Sequence, residues 1–299
     1  MSLTLGQLLP KVYLEIGELT LSGLANSGST STLIDVNLIN QYKDTAWKEG
    51  TLFILRDAGG AGAAPEGEFA GIASFAVDTG AFGTYGTFGS AVGASDLYAV
   101  SSPAYPIRIA VQLVNLALID LGDVPLVDTT TLETAANQTE YAAAVSWKRK
   151  PPYRVDIQGR LGDADDNQWA EILDWEYIPA AGGSTGLVVF KSHLPVGHDI
   201  RIWYRDQHPT VRLYTDYINE IFDPELVVVT VAEKMLSWKN GQLRGQDAYL
   251  LQKLNLMTAR KQNLMTERRP WRPRKRPHLL ITRGGYDTSQ HPFTIPPAP

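Results

Sequence analysis

Apolar positions along this chain keep two periods, and the change from one to the other divides the sequence. Ile107, Val111, Val114, Leu118 and Leu121 recur at spacings of four, three, four and three, which is one face of a helix. Pro106 suits the first turn of that helix and Gly122 its C-terminal stop. Before it, Leu3, Leu5, Leu8, Leu9, Val12, Leu14 and Ile16 predict a short helix, with Pro10 required to fall in its first turn. A Ser/Gly/Thr-rich connection follows from Ser22 to Thr32. The pattern then turns to β-formers at Leu33–Ile39, Thr51–Leu55, Phe69–Val77, Tyr85–Phe88 and Leu97–Val100, separated by glycines. Strands this short and this close predict a small antiparallel barrel or sandwich.

Past a polar connection from Asp128 to Gln138, a second β section is expected, with strands at Ala143–Trp147, Tyr153–Ile157, Trp169–Ile178, Gly186–Phe190 and Asp199–Tyr204. In the last of these, Ile200, Ile202 and Tyr204 alternate with Arg201, Trp203 and Arg205, so one face is apolar and the other mixes Trp203 with basic side chains. Asp223-Pro224 then signals a helix start, a capping carboxylate followed by proline. Leu226 to Trp238 is apolar on most sides until Asn240-Gly241, and Gln246 to Leu264 reads as a longer helix. The two form an antiparallel hairpin, with the helix at 107–121 as its third partner.

The predicted fold class is α+β. It comprises an N-terminal antiparallel β-barrel or sandwich (1–103), a helix and linker of a helical bundle (104–142), an inserted β-sandwich (143–212), the hairpin completing the bundle (213–266) and an extended C-terminal arm (267–299).

Charge sharpens this picture at one end. From Arg260 to Arg283 there are nine positive residues and one acid, Glu267, a formal +8 in a chain whose net charge is −5. The prolines of Arg269-Pro-Trp-Arg-Pro-Arg-Lys-Arg-Pro277 forbid a continuous helix and favour extended backbone. Trp271 sits inside the run, and Leu279, Leu280 and Ile281 follow it as a β-competent segment. Such an arm suits strand addition to a neighbour's sheet, or docking in its groove, against an acidic surface. The candidate contact residues are Arg268, Arg269, Trp271, Arg272, Arg274, Lys275, Arg276, Leu279, Leu280 and Ile281. Arginine beside tryptophan can also grip a phosphate backbone, but the acidic remainder of the chain argues against a free DNA-binding protein.

Candidate chemistry is sparse. The absence of cysteine excludes disulfides and thiolate metal sites and fits a reducing cytosol. No apolar run approaches a membrane span, and Met-Ser-Leu-Thr-Leu-Gly-Gln lacks the charged start of a signal peptide, so a protein made and folded in soluble form is expected. The glycines of Asp57–Gly67 lead to Pro65, two glutamates and another strand instead of Lys-Ser/Thr and a helix, which predicts a hairpin tip and no phosphate loop. His193, His198, His208, His278 and His291 form no metal-binding or catalytic motif; His193 and His198 read as parts of a turn.

Asp163-Ala-Asp-Asp-Asn167 resembles half a calcium loop, but Gln168 replaces the turn glycine and Asp174 the bidentate glutamate, so an acidic turn is expected. Trp169, Trp175, Trp203 and Tyr204 would be the members of a sugar platform, though aromatics on short strands more often serve a core. Asp163, Asp165, Asp166, Glu171 and Asp174 are the one carboxylate cluster that a carbohydrate-active enzyme could use, and they too read better as a turn. No enzymatic activity, cofactor or metal is expected.

Three stretches carry a resemblance. Asn37–Ile54 with the glycine loop and Gly93–Tyr98 resembles the small β module found near the N-terminus of tailed-bacteriophage virion proteins. Val111–Gly122, with Thr131-Leu-Glu-Thr and Gln138–Tyr141, is similar to the helix and linker of phage neck proteins. Tyr204–Pro209 and the hairpin ending in Arg272–Pro277 resemble their closing segment. The resemblance implies a head-to-tail connector of the virion neck, made in the host cytoplasm. Such a protein forms a homo-oligomeric ring, typically of twelve subunits, between the portal protein and the tail or next neck protein. Its helices surround double-stranded DNA passing through non-specifically, and its arm reaches the portal. No membrane is involved. A short, helix-only adaptor layout is not what this chain has. The alternative is a tail or baseplate component with carbohydrate-binding β modules.

Overall fold

The computed structural model describes residues 3–60, 62–142, 151–158, 169–179 and 186–268. The chain is mixed α and β, with four α-helices among the described residues. None of the described sheets closes into a barrel.

Strand β1 (Leu3–Thr4) leads directly into helix α1 (Leu5–Glu15). Thr4 caps the helix: its hydroxyl accepts from the Gln7 N–H at 3.2 Å, and the Gln7 side chain accepts from the Thr4 N–H at 3.3 Å. Pro10 lies inside the helix, past the first turn expected for it. The helix survives because Leu5, Leu8, Leu9, Val12 and Tyr13 are fully buried, and tertiary packing outweighs the lost backbone bond.

The N-terminal β residues form one seven-stranded antiparallel sheet. In chain order its strands are β2 (Leu19–Leu24), β3 (Ser27–Gly28), β4 (Thr32–Ile34), β5 (Thr51–Arg56), β6 (Phe69–Ala76), β7 (Ala81–Thr84) and β8 (Leu97–Ser101), and in space they run β2-β8-β5-β6-β7-β4-β3. Its two edges are consecutive in the chain, separated by Ala25 and Asn26. The sheet thus curls round a core of Leu33, Trp47, Leu52, Ile72, Phe75, Phe82 and Tyr98 without a ladder to close it.

Three expectations fail in this sheet. The run 33–39 is a strand only to Ile34. Asp35, accepting from the Asn37 N–H at 3.0 Å and from the Tyr98 hydroxyl at 2.6 Å, turns Val36–Leu38 into a 3-10 helix. The strand expected at 85–88 lies earlier, at Ala81–Thr84, directly after the turn at Gly80 (φ +65°). The Ser/Gly/Thr-rich connection contains the end of β2 and all of β3; Gly23 takes the inward position after Leu19 and Leu21 and hides their alternation.

Helix α2 (Ile107–Leu121) follows, stopped as expected at Gly122 (φ +106°). Asp123–Glu133 is strand β9, which runs into the polar connection expected from Asp128 to Gln138; its pairing with β15 (Asp199–Gln207) outweighs its polarity. The stretch 169–178 is two strands, β12 (Trp169–Ile172) and β13 (Trp175–Ile178), in different sheets. With β10 (Glu140–Ala142), β11 (Arg154–Gln158) and β14 (Leu187–Phe190) they make a four-stranded sheet, β12-β11-β15-β9, and a three-stranded sheet, β10-β14-β13. Val155, Ile200 and Ile202 of the first and Tyr141, Val188 and Phe190 of the second share one core. The strand expected at 143–147 lies outside the described residues.

Strand β16 (Tyr217–Ile218) pairs with β1 and brings the chain back to helix α1. Helix α3 (Pro224–Gln242) is capped by Asp223, whose carboxylate accepts from the N–H groups of Glu225 and Leu226 at 3.0 and 3.2 Å. Asp247 caps helix α4 (Ala248–Glu267) in the same way. Leu226, Val227, Val229, Val231, Ala232, Met235 and Leu236 surround α3 on nearly every side, so it is the central helix, against which α1, α2 and α4 all pack. Its core continues to Phe53 of the seven-stranded sheet and Val124 of β9.

Candidate functional site

The basic run begins at the C-terminal end of α4, and charges on α1 and α3 fix that end. The Arg260 guanidinium donates to Glu15 at 2.5 Å and to Glu225 at 2.8 Å, tying α4 to the last turn of α1 and the first turn of α3. Lys261 donates to Glu233 at 2.7 Å. Arg268 pairs with Asp223, the cap of α3, and with Glu225 at 3.1 Å. Because α3 and α4 are antiparallel, the carboxylates that suit the N-terminus of α3 stand beside the cations that suit the C-terminus of α4. The paired guanidiniums lower the pKa of Glu225, Arg260 first. In turn, hydrogen bonding to Glu225 raises that of Arg260 and hydrogen bonding to Asp223 raises that of Arg268.

Of the nine cations counted in the run, the three among the described residues, Arg260, Lys261 and Arg268, are all held within the chain. Arg268 is the one predicted contact residue among the described residues, and its guanidinium faces its own α3. Arg269, Trp271, Arg272, Arg274, Lys275, Arg276, Leu279, Leu280 and Ile281 lie outside them, as do His278 and His291. Glu15, Asp223 and Glu225 went unnoticed in the sequence as partners of the run; acids at the ends of facing helices were the available signal.

A second constellation occupies the outer face of the four-stranded sheet. Register sets Asp156 of β11 opposite Arg201 of β15 and Glu171 of β12. The Asp156 carboxylate is fully buried and accepts from Arg154 Nε at 2.7 Å, Trp203 Nε1 at 2.7 Å and Arg201 Nη2 at 3.3 Å. The Arg201 guanidinium stands 4.3 Å from the Trp169 ring centre and 5.1 Å from that of Trp203. The hydrogen bond to Asp156 raises the pKa of Arg154. The expectation that this face of β15 mixes Trp203 with basic residues holds, but its organising residue, Asp156, was missed; the polar position between Val155 and Ile157 was the available signal. A stacked guanidinium already occupies Trp169 and Trp203, and Trp175 and Tyr204 turn to the core between the sheets, so the four aromatics do not form one sugar platform.

Elsewhere the chemistry is structural. The loop 57–68 joins β5 to β6 as the expected hairpin tip; Asp96 accepts from the Ala58 N–H at 2.9 Å and the Gly93 N–H at 2.7 Å and pins it to the sheet. His198 bonds through Nδ1 to the Gln158 carbonyl at 2.7 Å. His208 is buried with both ring nitrogens engaged, Nδ1 with the Pro209 carbonyl at 2.6 Å and Nε2 accepting from the Asn219 N–H at 3.0 Å. Asp174 faces Lys191 at 3.5 Å on the surface, and Asp163, Asp165 and Asp166 lie outside the described residues. Among the described residues no group of three His, Asp or Glu side chains could hold a metal ion, and no helix is long and apolar enough to cross a membrane.

Compared with known proteins, the chain matches no family model, and no curated protein is significantly similar to it.

Proposed function

We propose that this chain is a structural protein of a tailed-bacteriophage virion, a head-to-tail connector that assembles with copies of itself into a ring between portal and tail, with a channel for DNA, and catalyses no reaction. One observation carries the reading. Three ion-paired cations clamp the end of α4 to α1 and α3, so that the proline-rich segment that follows starts from a fixed point on the helical layer. That segment, 269–299, holds six positive residues against Asp287, while the rest of the chain is acidic. An arm of one sign on a body of the other favours contact between molecules. The β-sandwich inserted between α2 and α3 would then stand away from the channel, toward the tail.

Light scattering of the full chain and of a chain ending at Arg268 tests this. Because the clamp is retained, the truncated chain keeps its fold, and its self-association and its binding to the portal protein drop. A truncated chain that assembles and binds as well as the full one removes the role given to the arm.

A further inference from the structure

Helix α4 has a second face that the described residues leave exposed. Leu250, Met257 and Leu264 are buried toward α3. On the opposite side Tyr249, Gln252, Leu256, Ala259, Asn263 and Thr266 are exposed at spacings of three, four, three, four and three. No exposed position between Ala248 and Thr266 carries a charge. The cations of that span, Lys253, Arg260 and Lys261, all turn to the Ile16 carbonyl, Glu15, Glu225 and Glu233 on α1 and α3. A solvated helix face ordinarily carries charged residues, and Tyr249 and Leu256 are 69 % and 62 % exposed here. An unbroken 3-4 spacing without charge is the pattern of a helix–helix seam.

A matching face lies on α2. Gln112, Leu116 and Ile119 are exposed there in a row between the exposed charges Arg108 and Asp120, the second of which Lys234 holds. The two helices approach α3 from different sides, for Lys234 of α3 holds Asp120 of α2 while its neighbour Glu233 holds Lys261 of α4. The helices packed on α3 therefore present, at two flanks, a face without charge on α4 and a short row centred on Leu116 and Ile119 on α2. We propose that α4 of one copy packs against α2 of the next, a head-to-tail contact that covers both seams with a single kind of partner and closes into a ring.

Charge selects this occupant. Nucleic acid or an acidic protein would find no cation on the α4 face, and the chain's own basic terminal segment would find no acid. The seam is short: α4 is about 30 Å long and a helix about 10 Å wide, so each side covers roughly 300 Å², against the roughly 800 Å² per partner of a stable complex. Further contacts, the arm's among them, must complete it. The inference rests on the oligomeric reading above and specifies its interface.

The absence of cysteine makes the test direct. Leu116→Cys, Leu256→Cys and the double variant are treated with a short bis-maleimide at a concentration where light scattering detects oligomers. The double variant should give a ladder of covalent multimers and each single variant only monomer. Covalent dimers from Leu256→Cys alone would mean that α4 meets α4, and the head-to-tail seam is wrong. Oligomers without cross-links in any variant also overturn the seam but leave the ring standing. A full chain that is monomeric at every concentration removes both. Ala259→Glu, an exposed substitution, should lower self-association at least tenfold with an unchanged thermal midpoint; unaltered association counts against the seam.

Discussion

In the helical layer burial is apolar and continuous, from Leu5 of α1 through Val229 of α3 to Leu264 of α4. Among the described residues the paired sheets between Asp123 and Gln207 bury six apolar residues in their shared core, and the outer face of one sheet is braced by the charged network on Asp156. The difference shows where each region's specificity comes from. A helix that is apolar on nearly every side, as α3 is, fixes neither a rotation nor a register by its apolar residues alone, so the ion pairs at its rim do so. A short strand has its register set by alternation, but here too little core to hold it, and a buried carboxylate with three donors adds both stability and a unique pairing.

The comparison breaks most sharply in α3. Met235 is fully buried among helices, and Met235→Ala should cost ~3 kcal/mol in chemical denaturation, because the surrounding helices cannot collapse into the space. A loss below ~1 kcal/mol would mean that the layer is loosely packed and that the contrast with the sheets is false.

The network on Asp156 is the next strongest lever. Asp156→Ala leaves the Trp203 indole N–H and the Arg154 and Arg201 guanidiniums without their acceptor and should cost ~2 kcal/mol. Asp156→Asn keeps the shape and one acceptor oxygen and should recover part of that loss. If Asp156→Ala is neutral, the six-residue core suffices and the polar face only decorates the sheet.

Much of the helical layer was legible in the sequence. The cap Asp223, the stop at Gly122 and the spacing of α2 are local signals, and local signals set helix ends; the cap Asp247 was passed over, and its helix was expected from Gln246. Tertiary partners decided what could not be read. Pro10 sits inside α1 because the buried side chains around it hold the helix, which no window around Pro10 records. Strand β9 looks like a polar linker until β15 is placed beside it, and the run 169–178 looks like one strand until its halves enter two sheets. The site shows the same division. The basic run is plain in the sequence, whereas its carboxylate partners Glu15, Glu225 and Glu233 lie 245, 35 and 28 residues away from Arg260, Arg260 and Lys261. The alternation that gave Arg201 and Trp203 their face came without Asp156, the residue on the neighbouring strand that unites them.

The smallest effect concerns the joint between the two regions. His208 leaves the end of β15, and its Nε2 accepts from Asn219, four residues before the cap of α3, while its ring lies 6.1 Å from that of Phe222. Burial lowers its pKa, and a second proton would need Nε2, the atom that already accepts a hydrogen bond. The unfolded chain binds that proton near pH 6.5 and the folded chain only at lower pH. The stability due to neutral His208 is therefore complete above about pH 6.5 and is lost as the pH falls through the lowered folded value. Asp216, held down by the N–H groups of Arg212 and Leu213, loses its contribution further down, on crossing the ordinary carboxylate range. Denaturation midpoints between about pH 7 and pH 5 should decline for the native chain and stay level for His208→Asn. An equal decline in both would place the acid sensitivity away from the joint and leave the helices and the sheets independent in their response to protons.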